Sequence, residues 1–128
     1  MDNNTPVSDS PNHRLAFVYG TLMRGERAEY LLTEATFVGC CQLRDYAMYH
    51  LGSYPGIQPC SGESVYGELY RIPDSLVEKL DAYEVEGTLY DRKTVTVWLD
   101  GQPVPAEAYI YKKDVTGCPL MRTAWNAR

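Results

Sequence analysis

Two β-rich runs, Lys93 to Leu99 and Val104 to Tyr111, flank the dipeptide Asp100-Gly101, and no other feature constrains the fold of this chain as strongly. Asp-Gly supplies the positive backbone angles that a two-residue hairpin turn requires, so the runs are read as adjacent antiparallel strands. Much of the remaining chain reads the same way. Arg14 to Tyr19 is a short apolar run halted by Gly20, which suits a buried strand and is too short for a buried helix. Phe37 to Tyr49 mixes aromatic and β-branched residues and is read as one long or bent strand. Ser64 to Arg71 alternates Val65, Gly67 and Leu69 against Tyr66, Glu68 and Tyr70, the pattern of a strand with one buried face. Gly52 to Gly62, crowded with glycine and proline, is read as loop or interrupted strand.

Helical signals are few. Glu26 to Leu32 is read as a short helix whose start is blurred by Gly25. Asp74 to about Glu84 is the convincing helix: Pro73 precedes it, and Ser75 with Glu78 has capping-box spacing. Five or six strands with one or two helices give an α+β class, a small mixed β-barrel with flanking helices. A length of 128 residues suits one hydrophobic core. The expected layout is a disordered tail over residues 1–13 and a single domain over residues 14–128.

Composition removes several classes of function. The net charge is −5 and no dense Lys/Arg stripe occurs, which argues against nucleic acid and anionic membranes as partners. No apolar stretch approaches the roughly 20 residues of a membrane-spanning helix. The polar segment Met1 to His13 lacks the pattern of a signal peptide, so a cytoplasmic location is expected. The four cysteines, Cys40, Cys41, Cys60 and Cys118, form no CxxC pair. With only His13 and His50 to complete a site, no metal is expected, and reduced thiols are the simpler reading.

Two local features carry chemistry. On a helical wheel of about 100° per residue, Leu76, Val77, Leu80 and Tyr83 define an apolar arc, and Glu84 falls inside it. Glu78 and Lys79 fall on the opposite side, with Asp81 at the margin. An inward carboxylate resists ionisation and becomes a stronger proton acceptor near neutrality. The alternative is that the helix ends at Tyr83 and Glu84 is an exposed cap residue. The second feature is Tyr19-Gly20-Thr21-Leu22, where a glycine at a strand end lets main-chain N–H groups approach a ligand, or else simply ends the strand.

Val18-Tyr19-Gly20-Thr21-Leu22-Met23-Arg24-Gly25 resembles the N-terminal signature of the gamma-glutamylcyclotransferase-like family, which includes the gamma-glutamylamine cyclotransferases. Tyr54-Pro55-Gly56-Ile57 and Gly67-Glu68-Leu69-Tyr70 are similar to two later segments of that family. Leu80-Asp81-Ala82-Tyr83-Glu84, followed by Tyr90 and Arg92, is similar to the segment in which its catalytic acid ends a helix. The resemblance runs from about Leu15 to Tyr111. It implies a small β-barrel fold, no cofactor, and release of 5-oxoproline from a gamma-glutamyl amine by intramolecular cyclisation. It further implies Glu84 as the general acid and base, and substrate binding by the Tyr19, Gly20, Thr21 and Leu22 backbone. Tyr54, Tyr90 and Tyr111 are candidate pocket walls, and Arg92 is a candidate partner for a substrate carboxylate or for a structural salt bridge.

Two rival readings accompany this one. A non-catalytic module on the same fold would grip a gamma-glutamyl or other small ligand without turning it over. A cysteine-dependent amidotransferase or hydrolase would need a thiol in the site. Within the enzyme reading the leaving amine stays open, and the segment from Leu51 to Gly62 and the C-terminal tail are expected to decide it. Oligomeric state is not legible.

Overall fold

The computed structural model describes residues 12–128, so the tail expected over residues 1–13 lies almost wholly outside the described residues. The first strand, β1, is His13–Val18; it is followed by β2, Thr36–His50, and β3, Pro55–Pro73. The helix α1, Val77–Glu84, precedes β4, Tyr90–Leu99, β5, Gln102–Tyr111, and the two-residue β6, Leu120–Met121. The strands form one mixed sheet in the order β3-β1-β5-β4-β2-β6, and an additional β3–β2 pairing closes five of them into a ring. No helix among the described residues is long and apolar enough to cross a membrane.

The Asp100-Gly101 hairpin forms as read. Both residues have positive φ, 51° and 79°, and Leu99 pairs with Gln102 across the turn. Val95 and Val97 of β4 share one face with Val104, Ala106, Ala108 and Ile110 of β5, and all six are buried. They meet Leu15, Phe17, Leu43, Val65 and Leu69 in a single apolar core. The opposite face of the hairpin carries Tyr90, Arg92, Glu107 and Tyr109.

Of the two readings of Gly52 to Gly62, the interrupted strand holds: β3 begins at Pro55 and runs to Pro73. Pairing with β2 jumps from Ser64↔Arg44 to Pro59↔Tyr46, and the Gly62 amide donates to Asp45 Oδ1 at 2.9 Å. This bulge absorbs the residues that cannot keep the ladder, and Pro59 sits at its margin. The expected helix over Glu26 to Leu32 is reduced to a single 3-10 turn, Glu29–Leu32. Upstream, Gly25 takes φ 84° and Ala28 N donates to Thr21 O at 2.9 Å, so the backbone is committed to a closed loop. The Ser75/Glu78 capping box does not form. The helix is entered through a 3-10 turn, Asp74–Leu76, with no side-chain cap.

One seam in the ring is thin. β1 and β5 run parallel and share a single ladder pair, Ala16↔Glu107. Charged side chains reinforce it: Arg14 donates to Asp74 at 2.9 Å and to Glu107 at 3.1 Å, and Arg92 donates to Glu107 at 3.1 Å and to Asp81 of α1 at 2.9 Å. Tyr109 adds a hydrogen bond to Asp81 at 2.6 Å. The network fastens α1 to the hairpin face, and its charged members all keep some contact with water, so its worth lies more in geometry than in free energy.

The helix ends abruptly. Val85 adopts φ 53° and ψ 53°, its N–H reaches Ala82 O, and Glu86 N–H reaches Asp81 O at 2.9 Å, the bonding of a Schellman motif. Glycine is the usual residue there, because a β-branched side chain is strained in the left-handed region. Val85→Gly is therefore expected to stabilise the fold by about 1 kcal/mol, read as a rise in thermal midpoint of a few degrees. A lowered midpoint would show that the Val85 side chain contributes more than its strain costs.

Candidate active site

β1 leaves the sheet at Val18 and the chain turns through Tyr19, Gly20, Thr21 and Leu22, all buried. The turn needs glycine for a steric reason. A Cβ on Gly20 would lie 2.8 Å from Pro55 Cγ, so only a bare Cα lets the turn pack on that proline. Gly20 O accepts from Met23 N at 3.0 Å and Thr21 O accepts from Ala28 N, which fixes the loop. The N–H groups of Gly20, Thr21 and Leu22 have no hydrogen-bond acceptor among the described residues. Buried amides of this kind are costly to leave unmet, so they are donors awaiting a ligand or water.

A narrow cavity of about 20 Å³ opens beside this turn, lined by Phe17, Val18, Tyr19, Gly20, Thr21, Leu22, Tyr54, Pro55, Glu84, Tyr90 and Tyr109. An outer hollow of about 240 Å³ adjoins it and shares Thr21, Tyr54, Glu84 and Tyr90. Glu84 is the last residue of α1, is half-buried and lines both hollows, so the exposed-cap alternative is set aside. Its carboxyl has no hydrogen-bond partner among the described residues, and burial alone pushes its pKa up to about 7. A carboxyl poised there exchanges protons readily at neutral pH.

The surrounding phenols stay neutral. Burial raises the Tyr19, Tyr90 and Tyr109 hydroxyls well above their ordinary range, and the charge of Glu84 adds to the shift in all three. Two of them donate to main-chain oxygens, Tyr19 to Tyr109 O at 2.6 Å and Tyr90 to Pro55 O at 2.7 Å. Their role is to fix the walls. Thr21 Oγ1 and the Tyr83 hydroxyl are 2.5 Å apart, which ties the amide turn directly to the helix that carries Glu84.

Seven of the candidate residues therefore line one cavity: Tyr19, Gly20, Thr21, Leu22, Tyr54, Glu84 and Tyr90. Arg92 and Tyr111 do not. The Arg92 guanidinium is held by Asp81 and Glu107, which leaves it the structural-salt-bridge role. Tyr111 stands behind Tyr90, ring centroids 5.3 Å apart, and fills space over Gly56. Reading the sequence missed Tyr109, Tyr83 and Pro55. Tyr109 lies on the outer face of β5 with Tyr111, and only the packing of α1 distinguishes the two.

Other chemistries find little support in the side chains present. No cysteine lines either hollow. Cys40 is exposed, while the Cys41 thiol is buried and pushed up to about 12, chiefly by burial. Among the described residues, no three His, Cys, Asp or Glu side chains gather where a metal ion could sit.

Comparison with known proteins gives consistent matches. The family model described as gamma-glutamyl cyclotransferase, AIG2-like, matches residues 16–127. The gamma-glutamylcyclotransferase family protein YtfP of Escherichia coli is 31% identical over 112 residues, covering 84% of this chain and 90% of that protein. Gamma-glutamylaminecyclotransferase A of Danio rerio is 33% identical over 106 residues, covering 74% and 66%. The crystal structure of an AIG2-like protein from Mus musculus superimposes with a TM-score of 0.77 at 24% identity over 88% of each chain, a likeness of fold.

Housing Glu84 in this cavity has a thermodynamic signature. The folded value of about 7 lies above the ordinary 4.5, so the folded state binds the extra proton. The stabilising contribution of that proton is complete below about pH 4.5 and is lost as pH rises through about 7. Glu84→Gln removes the ionisable group, so the stability of the variant relative to wild type should climb by about 1–3 kcal/mol across this window and then level off. Denaturant unfolding at a series of pH values checks it. A pH-independent difference would mean that the carboxylate is not desolvated.

Proposed function

We propose that this chain, which belongs to the gamma-glutamyl cyclotransferase, AIG2-like family, releases 5-oxoproline and a free amine from a gamma-glutamyl amine, with Glu84 as general acid and base. The observation that carries this reading is that Glu84, its carboxyl poised near neutrality, lines one cavity together with the Gly20, Thr21 and Leu22 turn.

The reaction is a cyclisation. The α-nitrogen of the glutamyl group attacks its own γ-carbonyl carbon, a C–N bond forms, and the bond from that carbon to the departing nitrogen breaks. Two protons must pass from the attacking to the departing nitrogen, because the substrate starts as an α-ammonium and the product amine leaves protonated. Glu84 carries them one at a time, accepting each from the first nitrogen and delivering it to the second, which a group with a pKa near 7 can do in either direction. The amides of Gly20, Thr21 and Leu22 suit the glutamyl carboxylate, the developing oxyanion, or both. Burying the flexible glutamyl chain against Tyr19, Tyr54 and Tyr90 supplies the alignment, worth up to roughly 7–11 kcal/mol in well-oriented systems.

The test is to incubate the protein with several gamma-glutamyl amines and to measure 5-oxoproline. Turnover is expected, with kcat/KM rising with pH through about 7 as Glu84 deprotonates in the free protein. Glu84→Gln should lower the rate by about 10²- to 10⁴-fold with the fold intact. Binding without turnover would identify the non-catalytic module instead, and retained activity in the variant would remove Glu84 from the mechanism.

A further inference from the structure

Arg27 stands at the edge of the outer hollow, with Tyr54, Tyr83, Glu84, Val85 and Leu89 around it. Six of the other seven arginines are engaged: Arg14, Arg24, Arg92, Arg122 and Arg128 each pair with a carboxylate, and Arg44 lies over the Trp98 ring. Arg71, on β3, has a buried Nε with no hydrogen-bond partner, and it lines neither hollow. Arg27 has no hydrogen bond or ion pair with any described residue. Among the described residues it is also the only cationic side chain lining either hollow. Nor is it matched to Glu84, whose shift comes from burial with no contribution from a neighbouring cation.

The backbone around Arg27 is held firmly. Ala28 is buried and its N–H bonds Thr21 O. On the other side the Glu26 carboxylate accepts from Trp125 Nε1 at 3.0 Å and from Arg128 at 3.0 Å. Both neighbours are fixed by groups that point elsewhere, so the guanidinium is presented at the hollow from an anchored loop.

We infer that Arg27 selects the leaving group: the departing amine carries a carboxylate, which Arg27 binds at the rim while the glutamyl end lies among the amides of Gly20 to Leu22. This rests on the cyclotransferase reading and narrows it. The polarity follows from Glu84, which is common to both hollows and so stands where the inner glutamyl nitrogen and the outer leaving nitrogen would meet. Beyond it the walls are the aromatic and aliphatic faces of Tyr54, Tyr83, Val85 and Leu89, fit for a short carbon stem, and then comes a single positive charge. A guanidinium recognises a carboxylate through paired N–H donors, which a neutral amine cannot replace.

Matched substrates test it. Gamma-glutamylalanine and gamma-glutamylethylamide differ only in the leaving-group carboxylate, as do N-ε-(gamma-glutamyl)lysine and gamma-glutamylcadaverine. In at least one pair the wild-type kcat/KM should favour the carboxylate by roughly five- to twentyfold, with the preference shrinking at high salt. Arg27→Gln should bring that ratio close to one, Arg27→Lys should restore part of it, and Arg122→Gln, which changes charge at a distance, should leave it unchanged. Equal losses on both members of a pair would place Arg27 on the glutamyl group and overturn the inference, as would absence of any preference in wild type or its survival in Arg27→Gln. If wild type forms no 5-oxoproline at all, the cyclotransferase reading fails, and calorimetric binding of the same four compounds decides the role of Arg27 by the same ratios.

Discussion

The desolvation of a single carboxyl group governs the chemistry of this fold. Glu84 makes no ion pair and has no hydrogen-bond donor to steady its charge among the described residues, and its pKa rises to about 7 through burial alone. Were a guanidinium to reach it, the carboxylate would become a fixed anion, useful as a structural partner and poor as a shuttle. Four arginine–carboxylate contacts lie nearby on the hairpin face, yet they close among themselves, between Arg14, Asp74, Glu107, Arg92 and Asp81. The fold gathers charge around the helix and keeps it away from the last residue.

Two further constraints make the burial productive. The Thr21–Tyr83 bond couples the strand exit to the helix end, so the amides and the carboxyl share a frame instead of drifting independently. The C-terminal segment latches the same loop from outside: Trp125 is buried and bonds Glu26, and Asn126 donates to Arg24 O at 3.2 Å. Such support from a second layer of contacts holds a site to the tolerance that catalysis needs.

Much of the fold was legible in the sequence. The Asp100-Gly101 turn and the apolar arc of α1 follow from local geometry, and the structure repeats them. The alternation read over Ser64 to Arg71 holds only in part: Tyr66 is exposed, but Glu68 and Tyr70 on the same face are buried, Glu68 accepting hydrogen bonds from Arg24 and Tyr70. The inward placement of Glu84 followed from the wheel only if the helix ran one residue past Tyr83, and the left-handed Val85 that ends it there leaves no glycine signal to read. The ring closure, the β3 bulge and the parallel β1–β5 seam depend on pairings between residues far apart in sequence, which no local pattern encodes. In the site, Tyr19 to Leu22 and Tyr54 came from contiguous motifs, whereas Tyr109 and Tyr83 join through helix packing. Arg92 illustrates the converse: the sequence left it between a substrate carboxylate and a structural salt bridge, and Asp81 of α1 and Glu107 of β5 hold its guanidinium.

The most direct measurement is the titration of the Glu84 carboxyl itself, followed by carbon-13 NMR of the protein labelled at the glutamate carboxyl carbon and assigned with Glu84→Gln. A midpoint near 7 in the free protein is the expected result. A midpoint near 4.5 would mean that the group is fully hydrated and would contradict its role as a neutral-pH proton shuttle.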